Sequence, residues 1–369
     1  MPCRSNHTAR KQHSLPAAYY RGGTSRAVMF KADDLPADRE AWRAPFLGVI
    51  GSPDAQSGRQ LDGMGGGISS LSKVCVVGRS QLTNDTADVD YTFVSLGVRD
   101  DHVDYSSNCG NMSAAVGPFA VDAGLVEVPV TAVPCDVTVR IHNTNTGKII
   151  HAVFPVVEGE AAAHGDLAID GVAGTAAPVR LEFVRPAGSR TGKLLPSGTA
   201  TDLIGGVATT CIDVANPACF VLASDLGVPG DLTPQQIDDH PTLLATLDKI
   251  RRQAGVLMGL APSPEEVPGS VPKITMVSPA EEGLTARALS VGQPHKAIPV
   301  TVALAAAAAA KLPGSTVYQC VQHGGDGLVI NHASGTIKVD AKYDQDGDLE
   351  VATVFRTARR LMEGKIFWK

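Results

Sequence analysis

Asn108-Cys109-Gly110-Asn111 opens a stretch, Met112 to Val121, that is apolar on nearly every side. A helix hydrophobic all round belongs inside a core. Cys109 at its mouth then faces a cavity lined by unpaired backbone N–H groups. Those groups, with the positive end of the helix dipole, attract a carboxylate and lower a thiol's pKa. The bland alternative is a small buried cysteine. What favours the first reading is that the chain repeats the arrangement.

Three blocks recur in the same order. Arg21 to Pro36 pairs with Val214 to Gly227, each a polar turn, a short apolar strand and an Asp-Leu stop. Ser72 to Val77 pairs with Pro272 to Val277, and the Cys109 helix pairs with Gly292-Gln293-Pro294-His295-Lys296, which precedes the apolar Ala297 to Leu312. The chain therefore reads as two similar units of α+β class, each a barrel-like set of strands wrapped around one buried helix. The units are placed at residues 16–186 and 187–358, with a last strand, 359–369, returning to the first. Their helices start at Cys109 and at about His295. If the units face each other, both helix mouths open into one cleft, a usual place for a small-ligand site.

Strand and turn signals fill in the rest. Asp88 to Leu96 alternates around Val89, Tyr91 and Phe93, and Val137 to Ile141 with Lys148 to Val157 flank an Asn-Thr-Asn-Thr-Gly turn. Leu181 to Val184 and Gly335 to Val339 read as further strands. Thr233-Pro234 is a good helix opening, and the Leu243, Leu244, Leu247, Ile250, Ala254, Leu257 stripe follows it.

At 369 residues, 44% hydrophobic and 19% charged, the chain can bury sizeable cores. A net charge of −6 with no dominant Lys/Arg run argues against nucleic-acid binding. No window of about 18 uninterrupted apolar residues predicts a membrane span. Seven scattered cysteines, with no C-x-x-C pair and no zinc-like spacing, suggest reduced thiols in an intracellular, cytoplasmic protein. Residues 1–15 are basic and lack an apolar core, which excludes a secretory signal. They read as a disordered tail, with a mitochondrial presequence as the alternative.

Lys73 stands ten residues after Gly63, on the threshold of the buried strand Val74 to Val77. A lysine in a partly apolar cleft has its charged form penalised and takes a proton at neutral pH; a snorkelling surface lysine is the alternative. Lys73 and Cys109 together suggest proton transfer at carbon, with the N–H groups of Gly110 and Asn111 stabilising an enolate. The loop Gly63-Met64-Gly65-Gly66-Gly67 lets a ligand approach the backbone, but it is neither a P-loop nor a dinucleotide fingerprint. Arg21, Thr24, Ser25, Ser69, Ser70 and Ser72 offer anion-binding groups from the first unit, and Arg287, Ser290 and His295 from the second. Asp344-Gln345-Asp346-Gly347-Asp348 fails as a calcium loop and reads as a hairpin turn. Cys109 as a nucleophile lacks a clear base–orienter pair. A binding protein that uses the same pocket without turnover remains open.

Arg21-Gly22-Gly23-Thr24-Ser25, Gly51-Ser52-Pro53-Asp54, Leu61-Asp62-Gly63-Met64-Gly65-Gly66, Ser70-Leu71-Ser72-Lys73, Asp88-Val89-Asp90-Tyr91, Asn108-Cys109-Gly110-Asn111 and Ala288-Leu289-Ser290 resemble the PrpF-type 2-methylaconitate isomerases. That family also includes 4-oxalomesaconate tautomerases, methylitaconate Δ-isomerases and fungal aconitate Δ-isomerases, and the likeness runs from about residue 16 to the end. It implies a diaminopimelate-epimerase-like fold of two pseudo-symmetric domains, no cofactor, no metal, and a site between the domains. It implies Lys73 and Cys109 as the catalytic pair, with substrate held by Asn108, Gly110, Asn111, Gly65 and Gly66. Gly192 to Gly198, with Lys193, Ser197 and Gly198, looks like the family's substrate loop. Diaminopimelate epimerases use two opposed cysteines; here the counterpart of Cys109 falls at His295 or its neighbours, which weighs against a two-thiol racemase. Arg26 stands where many bacterial members have Lys-Gly, and the Gly65 to Ser70 form looks closer to fungal members. The resulting expectation is an isomerase of a small unsaturated tricarboxylate, aconitate or 2-methylaconitate, with oxalomesaconate or methylitaconate as the alternative. No nucleic-acid or membrane partner is expected, and a homodimer is the expected assembly.

Overall fold

Alternating apolar residues become strands that close on themselves. The computed structural model describes residues 11–83, 86–322 and 327–369. In the first half His13–Gly22, Ser25–Lys31, Lys73–Arg79, Val89–Leu96, Cys135–Asn143, Lys148–Val157 and Pro178–Val184 are hydrogen-bonded neighbours in that order. The second and third run parallel, as do the fourth and fifth; the other pairs are antiparallel. Leu349–Trp368 closes the ring by pairing with Pro178–Val184 and then, through Ala358 to Trp368, with His13–Gly22.

The second half repeats the plan. Val207–Val214 and Asn216–Leu222 form an antiparallel pair, Asn216–Leu222 runs parallel to Lys273–Pro279, and that strand is antiparallel to Leu284–Ser290. Leu284–Ser290 runs parallel to Leu328–His332, which turns back into Gly335–Tyr343 and then Leu349–Trp368. The long last strand thus serves both halves. Asp344 to Asp348 is the hairpin turn before it, with the Asp344 N–H donating to Asp348 O at 2.9 Å.

Each half wraps one helix. Gly110–Asp122 is buried along its length except at its last residue, and Val300–Ala309, mostly alanine, is buried throughout. Small side chains suit this position because the strands leave little room: a Cβ on Gly117 would lie 2.7 Å from the Phe154 ring. Both helices belong to one continuous core.

Three expectations need correction. The second helix does not start at His295. Gln293–Pro294 is extended and pairs with Leu289 and Ser290, so the helix begins only after Pro299, its N-cap residue. The Thr233-Pro234 opening holds a short helix, Pro234–Asp238, with a capping box to Gln236; a separate helix, Leu243–Leu257, carries the apolar stripe. Pro241 ends the first by lacking an N–H for continued helix bonding. The basic N-terminal segment is not a tail up to residue 15, because His13, Ser14 and Leu15 pair with Trp368, Phe367 and Ile366; residues 1–10 of that segment lie outside the described residues. No helix among the described residues is long and apolar enough to cross a membrane.

The two helix mouths abut at Gly110. A Cβ there would sit 2.8 Å from Val300 Cβ and Cγ1, closer than packed carbons allow. Gly110→Ala is expected to cost about 1–3 kcal/mol through overpacking, read as a lower urea midpoint at unchanged slope. An unchanged midpoint would show that the halves are not held this close.

Candidate active site

Lys73 opens a strand whose next four residues, Val74 to Val77, are buried, so its aliphatic stem is held in the core and its amine emerges at the strand end. Nζ donates to Ser25 Oγ at 3.0 Å and lies 3.2 Å from Cys109 Sγ, with the Phe93 ring centroid 5.7 Å away. Ser25 reaches this point because the turn before it is glycine. A Cβ on Gly22 would lie 2.5 Å from Asn111 O, and Gly23 sits at φ +51° against the Asn111 side chain. Asn111 brackets the next residue, Nδ2 donating to Thr24 Oγ1 at 3.2 Å and Oδ1 accepting from the Thr24 N–H at 3.3 Å.

Cys109 is the N-cap of its helix, in extended conformation, and its carbonyl accepts the first helical bond from Ser113. The residue before it is fixed from the other half. Asn216 Oδ1 accepts from the Asn108 N–H at 2.9 Å, and Asn216 Nδ2 donates to Asn108 O at 2.6 Å and to Thr301 Oγ1 at 3.3 Å. One amide therefore ties together both helix mouths. The cavity between them is lined by Ser69, Lys73, Phe93, Asn108, Cys109, Gly110 and Asn111 from the first half. Ser270, Lys273, Ser290, His295, Val300 and Thr301 line it from the second.

Burial opposes ionisation of the Cys109 thiol. The Lys73 amine, the Met112 N–H and, further off, Lys273 outweigh it and hold the thiol below its ordinary range. Burial first, then Lys73, Lys273 and His332, push His295 down to about 3. Its ring is thus neutral at physiological pH. Because Nδ1 accepts from the Ala297 N–H at 3.1 Å, Nε2 carries the proton and is a donor. The site therefore offers an amine, a thiol poised to ionise, a neutral imidazole donor and two sets of helix-end N–H groups.

The structure gathers Lys73, Cys109, Ser25, Ser69, Asn108, Gly110, Asn111, Ser290 and His295 at or beside this cavity, with Thr24 held against Asn111. The others are elsewhere. Gly65 and Gly66 lie outside the lining: the Gly65 N–H donates to Ile50 O, and Gln60 Oε1 accepts from both the Gly67 N–H and Ser72 Oγ. The glycine loop thus packs on the end of helix Arg43–Ile50 and positions the segment that ends in Lys73. Ser70 is also outside the lining. The Arg21 guanidinium donates to Gly23 O and Thr357 O, and that of Arg287 to the carbonyls of Asp231, Leu232, Ala286 and Asn331; both brace backbone. Lys193 and Gly198 are exposed, Ser197 between them is half-buried, and none of the three reaches the cavity. Reading from sequence missed Lys273, Thr301, Ser270 and Asn216. The second repeat block carried the signal for Lys273, since it aligns that residue with Lys73.

The chain has known relatives along almost its whole length. The family model described as PrpF protein matches residues 12–369. A 3-methylitaconate isomerase of Eubacterium barkeri is 38% identical, covering 96% of this chain and 97% of its own. A (4E)-oxalomesaconate Delta-isomerase of Novosphingobium sp. (strain KA1) is 39% identical, covering 97% and 98%. The crystal structure of a methylitaconate-delta-isomerase superposes with a TM-score of 0.77 at 37% identity, covering 97% and 96%. Twin helix-filled barrels that share one cavity, with relatives of this kind, make the protein an isomerase of epimerase-like fold. The chain belongs to the PrpF family.

The lowered thiol has a direct readout. Cys75, Cys211, Cys219 and Cys320 are buried, and burial raises each. At pH 7 iodoacetamide is expected to alkylate Cys109 before these four. Lys73→Met removes the opposing amine and raises the thiol, so alkylation slows by about tenfold for each unit of that rise. Equal rates in wild type and Lys73→Met would show that the amine does not tune the thiol.

Proposed function

We propose that this isomerase acts on an unsaturated tricarboxylate, aconitate or 2-methylaconitate, with Lys73 and Cys109 as the catalytic pair. The observation that carries the reading is the 3.2 Å contact between amine and thiol inside a cavity lined by both helix mouths. In this reading Lys73 takes a proton from the methylene that is allylic and α to a carboxylate. The C–H electron pair becomes part of a dienolate, and the charge spreads onto the carboxylates. The N–H groups at the start of helix Gly110–Asp122 and the His295 Nε2 proton face that charge. Rotation about the former double bond, followed by return of the proton to the same carbon, gives the cis or trans partner. Return to the far end of the allylic system gives the shifted double bond.

The depressed Cys109 thiol favours a second assignment of the same pair, in which the thiolate abstracts and the Lys73 ammonium returns the proton. The substrate alternatives come from the relatives, which are named for methylitaconate and oxalomesaconate; the latter would undergo keto–enol transfer between the same two groups.

Incubation with cis-aconitate, trans-aconitate, 2-methylaconitate and oxalomesaconate in deuterium oxide, followed by NMR, is expected to show isomerisation and solvent deuterium in one of the first three. Exclusive turnover of oxalomesaconate would move the assignment to the tautomerase reading. Lys73→Ala is expected to lower kcat by about 10²- to 10⁴-fold and to remove deuterium incorporation. If exchange persists in Lys73→Ala but is lost in Cys109→Ser, the thiolate is the base.

A further inference from the structure

The pseudo-symmetry that places Lys73 has a second product. Lys273 opens the strand Lys273–Pro279, which runs parallel to Asn216–Leu222 just as Lys73–Arg79 runs parallel to Ser25–Lys31. Lys273 is 7% exposed, and it lines the same cavity from the opposite half. Its surroundings differ from those of its mate. Pro299, with no side-chain donor or acceptor, stands at the N-cap of helix Val300–Ala309, where the first half has Cys109. Lys273 Nζ donates to Ser270 O at 2.9 Å and makes no other hydrogen bond among the described residues. No carboxylate there lies within ion-pair distance of it.

An ammonium has three donors, so two of them point at no protein partner. A buried cation left this way is costly unless an anion completes it. We propose that Lys273 binds substrate, its ammonium holding a carboxylate on the second-half side of the cavity while proton transfer takes place at Lys73 and Cys109. This assignment rests on the reading above that the cavity takes a polycarboxylate. It gives the two mirrored lysines different work: one faces a thiol and exchanges protons, and the other faces the cavity with unpaired donors and supplies a fixed charge to the dienolate as it forms.

The charged groups around Lys273 set when that charge is present. Burial, with Lys73 and Arg251, pushes its pKa down to about 8, against the pull of Cys109 and Asp104. Below that pH the amine is charged and binds a carboxylate; above it the charge is lost, so kcat/KM falls on the alkaline side.

The test compares wild type, Lys273→Gln and Lys273→Arg on whichever acid the panel shows to be turned over, from pH 6 to 10. Lys273→Gln is expected to raise KM by about 10- to 100-fold, as for loss of a charge-assisted hydrogen bond, with a much smaller fall in kcat than in Lys73→Ala. Its alkaline limb near pH 8 should vanish, and Lys273→Arg should recover part of KM. In the wild-type protein, tricarballylate, a saturated tricarboxylate, should protect Lys273 from acetic anhydride, read by peptide mass spectrometry. That measurement needs no variant to fold. A wild-type KM and pH profile in Lys273→Gln, or no protection by tricarballylate, overturns the role of Lys273 while leaving the Lys73–Cys109 pair intact. Absence of deuterium exchange into every acid by the wild type would overturn the catalytic reading itself.

Discussion

The structure depends on two helices meeting mouth to mouth. Each brings backbone N–H groups with no helical partner and the positive end of its dipole, and Gly110 allows them to come within packing distance of Val300. Such a junction is unfavourable by itself, since two like partial charges face each other. The cross-connection through Asn216, bonded to Asn108 and Thr301, holds it closed. The barrels complete the arrangement by burying both helices so fully that their ends are the only places where their polar backbone can be put to use.

That constraint explains what was legible in the sequence. An all-apolar segment has only one place to go, so the helix Gly110–Asp122 and the position of Cys109 at its mouth followed from composition alone. Lys73 followed from a charged residue set against Val74 to Val77. The likeness of the two halves was read from the repeated blocks. What misled was polarity in loops. Arg21 and Arg287 have the right chemistry for an anion, but nothing local reveals that backbone carbonyls already occupy their donors. The Gly65-Gly66 loop has the composition of a ligand cradle, yet its glycines are needed for close approach to Ile50 and Gly51; a Cβ on the neighbouring Gly63 would lie 2.3 Å from the Gly51 nitrogen. His295 was aligned with Cys109 by counting from the repeat, and the short extended segment before Pro299 displaced the true cap by four residues.

The halves match in strand order and differ in chemistry. The first half has a thiol at the helix cap and a serine, Ser25, beside its lysine. The second has a proline at the cap and an asparagine, Asn216, at the matching start of its second strand. A site meant to invert a stereocentre needs an acid and a base on opposite faces of one carbon. Here the thiol and the amine touch each other, both on the first-half side of the cavity. Such a site suits movement of a double bond or rotation about it better than inversion.

Charge completes the argument. The chain carries a net charge of −6, which repels an anion at long range. His295 adds no positive charge at neutral pH, because burial and the nearby lysines hold it down to about 3. Attraction for an anion inside the cavity therefore rests on Lys273 and the helix-end N–H groups, acting where water is largely excluded and the effective dielectric is low. A neutral imidazole is the more useful neighbour there. Its Nε2–H is a donor toward an anionic oxygen, and the ring adds no second group that titrates at neutral pH.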